Sequence, residues 1–289
     1  MTLKDQTFNI GPVLVGQNQP LFLIAGPCVI ESEALTRQVA AELVAISSKL
    51  NLGLIFKASF DKANRSSLNS FRGPGFEKGL TILAKIKEEF QLPVVSDIHE
   101  TWQVAPAAEV LDLIQIPAFL ARQTDLLVAA AQSAKPVDVK KGQFMAPEDM
   151  LLVAEKMASQ PKFAGLLLVE RGTFFGYHNL VVDQRSLAIM ARSGWPVVFD
   201  ATHSAQLPSA GAGFSGGQRE FIPALARAAV AVGVSGLFLE THPNPQEAKC
   251  DGPNQWPLSQ LEPLLTELLA IDKLARLSQW ANNREATNG

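Results

Sequence analysis

The sequence has few cysteines, no excess of positive charge and no apolar run long enough to cross a bilayer. Its two cysteines, Cys28 and Cys250, exclude a disulfide framework, so packing, reactivity or metal binding must explain each thiol. The net charge of −3, without a basic stripe, argues against nucleic acid as a partner. Residues 1–6 include polar and charged residues where a secretory signal would have a basic start and an apolar stretch, so we expect a cytoplasmic protein without a membrane partner.

Short apolar runs are abundant among the 289 residues, of which 47% are hydrophobic and 18% charged, as is typical of a well-buried α/β enzyme. Eight such runs predict buried strands, at residues 21–25, 52–56, 94–96, 111–116, 137–139, 165–169, 197–199 and 237–239. Segments of helical character separate them, among them residues 33–50, 77–90, 146–157 and 218–232, with a last one at 258–280. The alternation predicts a closed (β/α)8 TIM barrel in a single domain, residues 1–289. Residues 7–16 predict a short N-terminal β-hairpin that plugs the N-terminal end of the barrel.

Nearly every apolar run is followed by a charged or hydrogen-bonding residue that packing alone would not require. These residues are Cys28, Lys57, Asp97, Gln115, Lys140, Arg171, His203 and Glu240. One such residue alone is equally well explained by a local partner or by solvent, but eight in succession are not. Because the carboxyl ends of the strands of a (β/α)8 barrel converge on one mouth, the pattern predicts an active site there.

Several of the polar residues near these ends are cations: Lys57, Lys62, Arg65, Lys140, Lys141 and Arg171. Clustered Lys and Arg recognise phosphate and carboxylate groups, so the substrates are expected to carry more than one anionic group. Lys141 is equally well explained as a surface lysine. The segment 62–67 adds an amide, Asn64, and two hydroxyls, Ser66 and Ser67, which can wrap a phosphate and a sugar hydroxyl but also occur in ordinary turns.

Four residues near the same mouth have metal-ligand chemistry: Cys28, His203, Glu240 and Asp251. A thiolate, an imidazole and two carboxylates suit Zn²⁺ or Fe²⁺ better than Mg²⁺, which prefers oxygen ligands. The four are too far apart in sequence to form a spacing motif. Two alternatives therefore stay open at this point: Cys28 is a core residue, or Cys250 is the ligand in its place.

Eight segments resemble one family, the synthases that join phosphoenolpyruvate to a phosphorylated aldose. The segments are residues 25–28, 56–66, 96–100, 115–119, 140–143, 170–172, 199–204 and 249–253. Within this family, the Lys-Ala-Asn-Arg-Ser form of residues 62–66 is typical of the branch that makes 3-deoxy-D-manno-octulosonate 8-phosphate. The branch that makes 3-deoxy-D-arabino-heptulosonate 7-phosphate tends to have Lys-Pro-Arg-Thr-Ser there.

The resemblance implies a homotetrameric enzyme of lipopolysaccharide biosynthesis, with phosphoenolpyruvate and D-arabinose 5-phosphate as substrates. It assigns phosphoenolpyruvate to Lys57, Gln115, Lys140 and Arg171. It assigns the aldose phosphate to Lys62, Asn64, Arg65, Ser66 and Asp97, with Arg122 reaching the sugar phosphate of a neighbouring subunit. The implied catalytic residues are Lys57, Lys62, Asp97, Lys140, His203 and Asp251.

The resemblance also bears on the metal, because metal-dependent members have Cys at the position of Cys28 and metal-independent members have Asn. It therefore favours a divalent ion, Zn²⁺, Fe²⁺ or Mn²⁺, held by Cys28, His203, Glu240 and Asp251.

Three other functions remain to be compared with this one. The nearest is the heptulosonate 7-phosphate synthase, which uses erythrose 4-phosphate as the acceptor. A second is a Schiff-base aldolase that uses Lys57 or Lys140 as its nucleophile, since lysines at strand ends of barrels serve this role. The third is a barrel that binds a sugar phosphate without catalysis.

Overall fold

The N-terminal hairpin closes one end of the barrel in the computed structural model, which describes residues 5–65, 67–210 and 216–277. Strands β1 (Thr7–Ile10) and β2 (Val13–Gly16) pair antiparallel. Their apolar side chains, among them Ile10 and Val15, are buried in one cluster with side chains of the barrel interior. The predicted hairpin is therefore confirmed.

Eight parallel strands form the barrel, and several two-residue strands lie in the loops between them. The barrel strands are β3 (Phe22–Gly26), β4 (Gly53–Lys57), β5 (Val94–Asp97), β6 (Leu113–Ile116), β7 (Val137–Lys140), β8 (Leu166–Glu170), β11 (Val197–Asp200) and β14 (Gly236–His242). The two-residue strands are β9 (Thr173–Phe174), β10 (Leu180–Val181), β12 (Gln206–Leu207), β13 (Gly216–Gly217) and β15 (Trp256–Pro257). Strands β3 to β8 pair in sequence, β8 pairs with β11, and the β11–β14 and β14–β3 pairings close the ring. The predicted (β/α)8 barrel is confirmed.

Helices connect successive barrel strands and cover the outside of the barrel. They are α1 (Glu33–Leu50), α2 (Phe76–Phe90), α3 (Val104–Val110), α4 (Thr124–Ala131), α5 (Asp149–Ala158), α6 (Gln184–Ala191), α7 (Ala201–Ser204), α8 (Ile222–Val232) and α9 (Leu261–Leu277). Within the described residues, none of these helices is long and apolar enough to cross a bilayer.

The fourth predicted strand differs from the sequence prediction at its start. A strand was expected over residues 111–116, but β6 begins at Leu113. The backbone N–H of Leu111 donates to the carbonyl oxygen of Ala107, 2.8 Å away, and so completes the last turn of α3. Leu111 is fully buried. Its apolar character therefore reports burial at the end of a helix, where the sequence pattern indicated a strand.

The core divides into an inner and an outer layer, as strand alternation requires. Ile55, Val95 and Phe238 belong to the inner cluster, with the hairpin residues. Their strand neighbours, such as Phe56 and Leu239, belong to the outer cluster with residues of the helices. Since side chains two positions apart on a strand share a face, the polar residues that end the barrel strands face the interior at its carboxyl end.

Candidate active site

Lys57, at the end of β4, is held by a carboxylate across the barrel mouth. Its Nζ donates to Glu240 Oε1 at 2.6 Å and to the carbonyl oxygen of Cys28 at 2.9 Å. Lys62 Nζ lies 3.7 Å from the same Glu240 oxygen. Burial alone would raise the pKa of Glu240, but Lys57, His203 and nearby lysines bring it well below its ordinary value. Glu240 is therefore ionised and holds two lysines at the mouth.

Asp200, on β11 next to the strand of Glu240, also holds cationic side chains at the mouth. Its Oδ2 accepts from Lys140 Nζ at 2.6 Å and lies 2.7 Å from His203 Nδ1, while Oδ1 accepts from the His203 backbone N–H at 2.9 Å. Burial opposes ionisation, yet the pKa of Asp200 lies below its ordinary value because His203 and Lys140 outweigh it. With Nδ1 hydrogen-bonded to a carboxylate, the Nε2 of His203 is left to bind a metal ion or a substrate.

The four predicted metal ligands fall into two groups that share Asp251, one with His203 and Glu240 and the other with Cys28 and Cys250. His203 Nε2 lies 3.6 Å from Glu240 Oε2 and 3.8 Å from Asp251 Oδ2, and Cys28 Sγ lies 3.6 Å from the same Asp251 oxygen. Tetrahedral ligands with bonds of about 2.0–2.3 Å stand about 3.3–3.8 Å apart, which these separations match. Glu240 Oε2 is buried and has no hydrogen-bond partner in the described part of the chain. The donor set therefore fits a divalent ion.

Cys250 is a fifth candidate donor. Its Sγ lies 2.8 Å from Cys28 Sγ, and Cys28, Cys250 and Asp251 place one donor atom each within 4.8 Å of one another. Burial, followed by the contact with Cys250, raises the pKa of the Cys28 thiol well above its ordinary value. A cation that binds Cys28 must therefore displace the proton of the thiol. The two alternatives for the sulfur ligand lie side by side in the structure.

Asp251 has a strained backbone and forms part of a cleft beside the mouth. Its φ of 45° lies in the left-handed region, which a side chain other than Asn or Asp rarely adopts. Arg65 Nη1 lies 4.0 Å from Asp251 Oδ1. Both residues line a cleft of about 470 Å³, together with Arg219 and Lys249. The cleft is thus lined by one carboxylate and three cations, Arg65, Arg219 and Lys249, and this excess of positive charge suits an anionic group.

Arg171 follows β8 and lacks a partner for part of its guanidinium group. Its Nη2 donates to Gln206 Oε1 at 3.1 Å, whereas the buried Nη1 has no acceptor among the described residues. Lys141 is fully buried, and its Nζ donates to Thr173 Oγ1 at 2.9 Å, so it is not a surface lysine. Lys141 therefore anchors the loop after β8, while Arg171 keeps a donor for a ligand.

Asp97 and Gln115 lie on the opposite side of the mouth, at the ends of β5 and β6. Asp97 Oδ2 is 2.9 Å from His99 Nε2, but Asp97 Oδ1 is buried without a partner in the described ranges. Burial would raise the pKa of Asp97, but the His99 contact and nearby lysines lower it below its ordinary value. Gln115 Oε1 is also buried without a partner there. This side keeps acceptors that a ligand with hydroxyl groups would satisfy.

The remaining predicted residues lie outside this enclosed set. Asn64 and Arg122 are exposed, and neither makes a hydrogen bond or ion pair to the residues that the structure describes. Ser66 lies outside the described residues. Of the residues predicted in this loop, Lys62 and Arg65 contact other residues of the mouth, Glu240 and Asp251.

Three site residues were missed by sequence reasoning: Asp200, Asp138 and Arg219. Asp200 ends β11 and Asp138 interrupts the apolar β7, so a polar residue inside a strand would have indicated both. Arg219 follows two glycines before α8 and lines the cleft with Arg65. No pattern in the sequence indicates that last position.

A (β/α)8 barrel with buried lysines, an arginine with a free donor and a Cys, His and carboxylate cluster at one mouth defines an enzyme of anionic substrates. The DAHP synthetase I family matches residues 2–275, and the chain belongs to this family.

Similar curated proteins share the name 2-dehydro-3-deoxyphosphooctonate aldolase. The protein from Syntrophotalea carbinolica is 56% identical over 270 residues, which cover 93% of this chain and 97% of the relative. The one from Desulfotalea psychrophila is 58% identical over 266 residues, covering 91% and 94%. The one from Geobacter metallireducens is 58% identical over 267 residues, covering 92% and 98%.

Proposed function

We propose that this enzyme condenses phosphoenolpyruvate with D-arabinose 5-phosphate and water, giving 3-deoxy-D-manno-octulosonate 8-phosphate and inorganic phosphate. The names of relatives that are 56–58% identical over more than nine-tenths of the chain support it. The observation that carries it in this molecule is the buried Nη1 of Arg171, which has no acceptor among the described residues. A buried cationic N–H at the mouth needs an acceptor, and an anionic ligand is the one that binds it most strongly.

The phosphoenolpyruvate site is assigned to Lys57, Lys140, Arg171 and Gln115. Lys57 and Lys140 are each held by a carboxylate at 2.6 Å, so their ammonium groups are in place before a substrate arrives. Such fixed cations hold a phosphate and a carboxylate together against their mutual repulsion and require little reorganisation during the reaction. Carbon 3 of phosphoenolpyruvate then attacks the aldehyde, water adds at carbon 2, and the hemiketal phosphate loses phosphate by C–O cleavage.

The aldose site is assigned to Lys62, Asn64, Arg65, Ser66 and Asp97. Asp97 Oδ1 is a buried ionised acceptor that lacks a donor within the described ranges, and a sugar hydroxyl would supply one. Arg65 lines the cleft of about 470 Å³ next to the metal ligands, and this cleft has room for a phosphate group. The assignment therefore separates the two anions between two groups of cations.

The metal is assigned to Cys28, His203, Glu240 and Asp251, with Zn²⁺, Fe²⁺ or Mn²⁺ as the ion. When bound, such an ion polarises an aldehyde oxygen or lowers the pKa of a water molecule. Asp200 orients His203 for it through Nδ1, at 2.7 Å. Catalytic roles are assigned to residues whose polar groups lie at the carboxyl ends of the barrel strands or in the loops that follow them: Lys57, Lys62, Asp97, Lys140, His203 and Asp251.

We extend the proposal to the assembly and the cellular role. Arg122 is exposed just after the turn Ala118–Leu120, where the Phe119 side chain is 50% exposed. An exposed aromatic beside a free arginine fits an interface in which Arg122 reaches the sugar phosphate of the next subunit of a homotetramer. Residues 1–289 form one catalytic domain, and the enzyme acts in the cytoplasm, in lipopolysaccharide biosynthesis.

The family match fits both the octulosonate and the heptulosonate activity, so the acceptor aldose that the enzyme uses must distinguish them. Purified enzyme is expected to release phosphate only when phosphoenolpyruvate and arabinose 5-phosphate are both present. Equal or faster turnover with erythrose 4-phosphate would move the assignment to the sister branch. Phosphate release from either substrate alone would contradict the condensation itself.

The Schiff-base alternative depends on a free amine at Lys57 or Lys140. Both ammonium groups instead contact carboxylates at 2.6 Å. Burial lowers the pKa of Lys140, but its interaction with Asp200 opposes the shift. Borohydride reduction in the presence of substrate, followed by mass spectrometry, is expected to leave the enzyme mass unchanged. A permanent substrate adduct on either lysine would establish the Schiff-base mechanism.

A further inference from the structure

Asp138 is a buried carboxyl group that the reaction described above does not use. It lies in the middle of β7, between Val137 and Val139. Both valines belong to the outer cluster with the helices, so strand alternation turns Asp138 to the barrel interior. Asp138 is 0% exposed, and neither of its carboxyl oxygens has a hydrogen-bond partner among the described residues.

The neighbour of Asp138 in the sheet is another acceptor without a donor. Asp138 is the register partner of Gln115 on β6, and Leu113 of the same strand belongs to the inner cluster. The Gln115 side chain therefore faces the interior beside Asp138. Its amide oxygen Oε1 is buried and has no donor within the described ranges. A carboxylate next to a carbonyl oxygen would leave both acceptors desolvated, a cost that a single proton between them removes.

The surrounding charges offer no substitute for that proton. Lys57 and Lys140 each have a carboxylate partner at 2.6 Å. Asp97 and Asp200 add negative charge near Asp138. Burial is the largest cause that raises the pKa of Asp138 to about 8, with Lys140 and Lys57 opposing it and the two aspartates adding to it. Carboxyl groups in enclosed apolar sites are held neutral in this way and then act as hydrogen-bond donors.

We propose that Asp138 is a neutral carboxylic acid at pH 7 that donates a hydrogen bond to the amide oxygen of Gln115. With its oxygen fixed, the Gln115 amide directs its NH2 group away from Asp138, toward an anion bound at the mouth. Asp138 is thus a positioning residue that acts through Gln115. The proposal depends on the proposed function only for the identity of that anion, phosphoenolpyruvate.

Two substitutions distinguish the hydrogen bond that Asp138 donates from the packing of its side chain. Asp138→Asn keeps the shape and a donor but does not titrate, and Asp138→Leu keeps a similar size without any polar atom. At pH 7 the Asn variant is expected to bind phosphoenolpyruvate like the wild type. The Leu variant is expected to bind it about fivefold to tenfold more weakly, the loss that one neutral hydrogen bond accounts for. Isothermal titration calorimetry with phosphoenolpyruvate alone measures the affinity of the wild type and of the two variants.

The pH profile gives the second readout. Between pH 7 and pH 9 the affinity of the wild type should fall more than that of Asp138→Asn, because ionisation removes the donor and adds a negative charge. An infrared difference spectrum, wild type minus Asp138→Asn, should show a protonated carboxyl band at pH 7 that is lost by pH 9. This band is independent of turnover and of any ligand.

Each outcome bears on one proposal. Identical pH profiles in the wild type and Asp138→Asn would show that Asp138 does not act through its proton, and the absence of a protonated carboxyl band at pH 7 would show that Asp138 is ionised; either result would overturn the inference. If Asp138→Leu does not fold, the Asn variant and the infrared band still decide. Failure of the wild type to bind phosphoenolpyruvate, with the carboxyl band present, would instead count against the proposed function.

Discussion

The two sides of the barrel mouth differ in how their polar groups are paired. On the side of β11, β14 and β4, Lys57 and His203 have carboxylate partners at 2.6 and 2.7 Å, and Asp200 of β11 also accepts from Lys140, which extends from β7, at 2.6 Å. On the side of β5, β6 and β7, Asp97, Gln115 and Asp138 each have at least one buried oxygen without a donor among the described residues. On the first side the cations are already paired and Glu240 Oε2 is the buried acceptor left for a metal ion, whereas the second side requires hydrogen atoms from a ligand or a proton.

This difference indicates that the two sides of the mouth have different roles. A network of paired charges is costly to disturb, because breaking one pair leaves the other charge buried and uncompensated. The paired side is therefore suited to hold cations and a metal ion in a fixed geometry. On the unpaired side, Asp97 Oδ1 gains its missing hydrogen bond only when a ligand binds, so it is suited to recognise a sugar hydroxyl.

Removal of the metal should have the largest effect. We expect a chelator to abolish turnover, and Mn²⁺, Fe²⁺ or Zn²⁺ to restore it to different degrees, since ligand softness and geometry differ among them. Cys28→Ala should lose both metal and activity. Cys250→Ala is the matched control and should keep most of each. Metal content and turnover are measured on the same samples.

Cys28→Asn tests the same site more finely. Metal-independent relatives of the family have Asn at this position, so some activity without metal is expected to survive in this variant. A stoichiometric metal ion in Cys28→Ala, or full activity in demetallated wild type, would make Cys28 a packing residue and remove the metal from the mechanism.

Asp200→Asn should have the next largest effect, because one carboxylate oxygen serves both Lys140 and His203. An amide cannot neutralise Lys140, and it leaves the tautomer of His203 unspecified. Loss of such an orienting partner lowers metal affinity or activity by roughly 10- to 100-fold. Asp183→Asn is the matched control, since Asp183 also caps a helix, α6, but is exposed. Equal losses in both variants would reduce Asp200 to a helix cap.

The barrel and much of its mouth were predictable from sequence because both depend on local patterns. Apolar runs define the strands, and polar residues at their ends mark the mouth. The contact between Cys28 and Cys250 was not predictable, because the two residues are 222 positions apart and meet only through the closure of β14 on β3. Whether the Asp138 side chain points into or out of the barrel also depends on the register of its strand, which composition does not specify.

Arg65→Ala should have a smaller effect, confined to one substrate. Arg65 is assigned to the aldose phosphate, and a charge-assisted hydrogen bond contributes about 1.5–3 kcal/mol, so use of the aldose should weaken by roughly 10- to 150-fold. Phosphoenolpyruvate binding should change little. Arg72→Ala is the control, because Arg72 pairs with Asp61 at the surface nearby. Equal weakening of both substrates in Arg65→Ala would show that the cations are not divided between them.

The smallest expected effect is on stability, and it follows from the pKa of Asp138. An unfolded aspartate has a pKa of about 3.9, whereas burial raises that of Asp138 to about 8. Between these values the folded state binds one more proton than the unfolded state, so the contribution of Asp138 to the free energy of unfolding falls as pH rises. The slope is at most about 1.4 kcal/mol per pH unit, and it vanishes above the folded pKa.

Asp138→Asn has no such slope, so the difference between the two proteins isolates this one group. The Tm of Asp138→Asn minus that of the wild type should grow between pH 5 and pH 8, by roughly 2–4 °C per pH unit, and then become constant. Calorimetric scans over that range measure it, and all other titrating groups cancel in the difference. A difference that stays constant from pH 5 to pH 8 would mean that Asp138 is ionised in the folded protein, and the unpaired side of the mouth would then hold a buried charge.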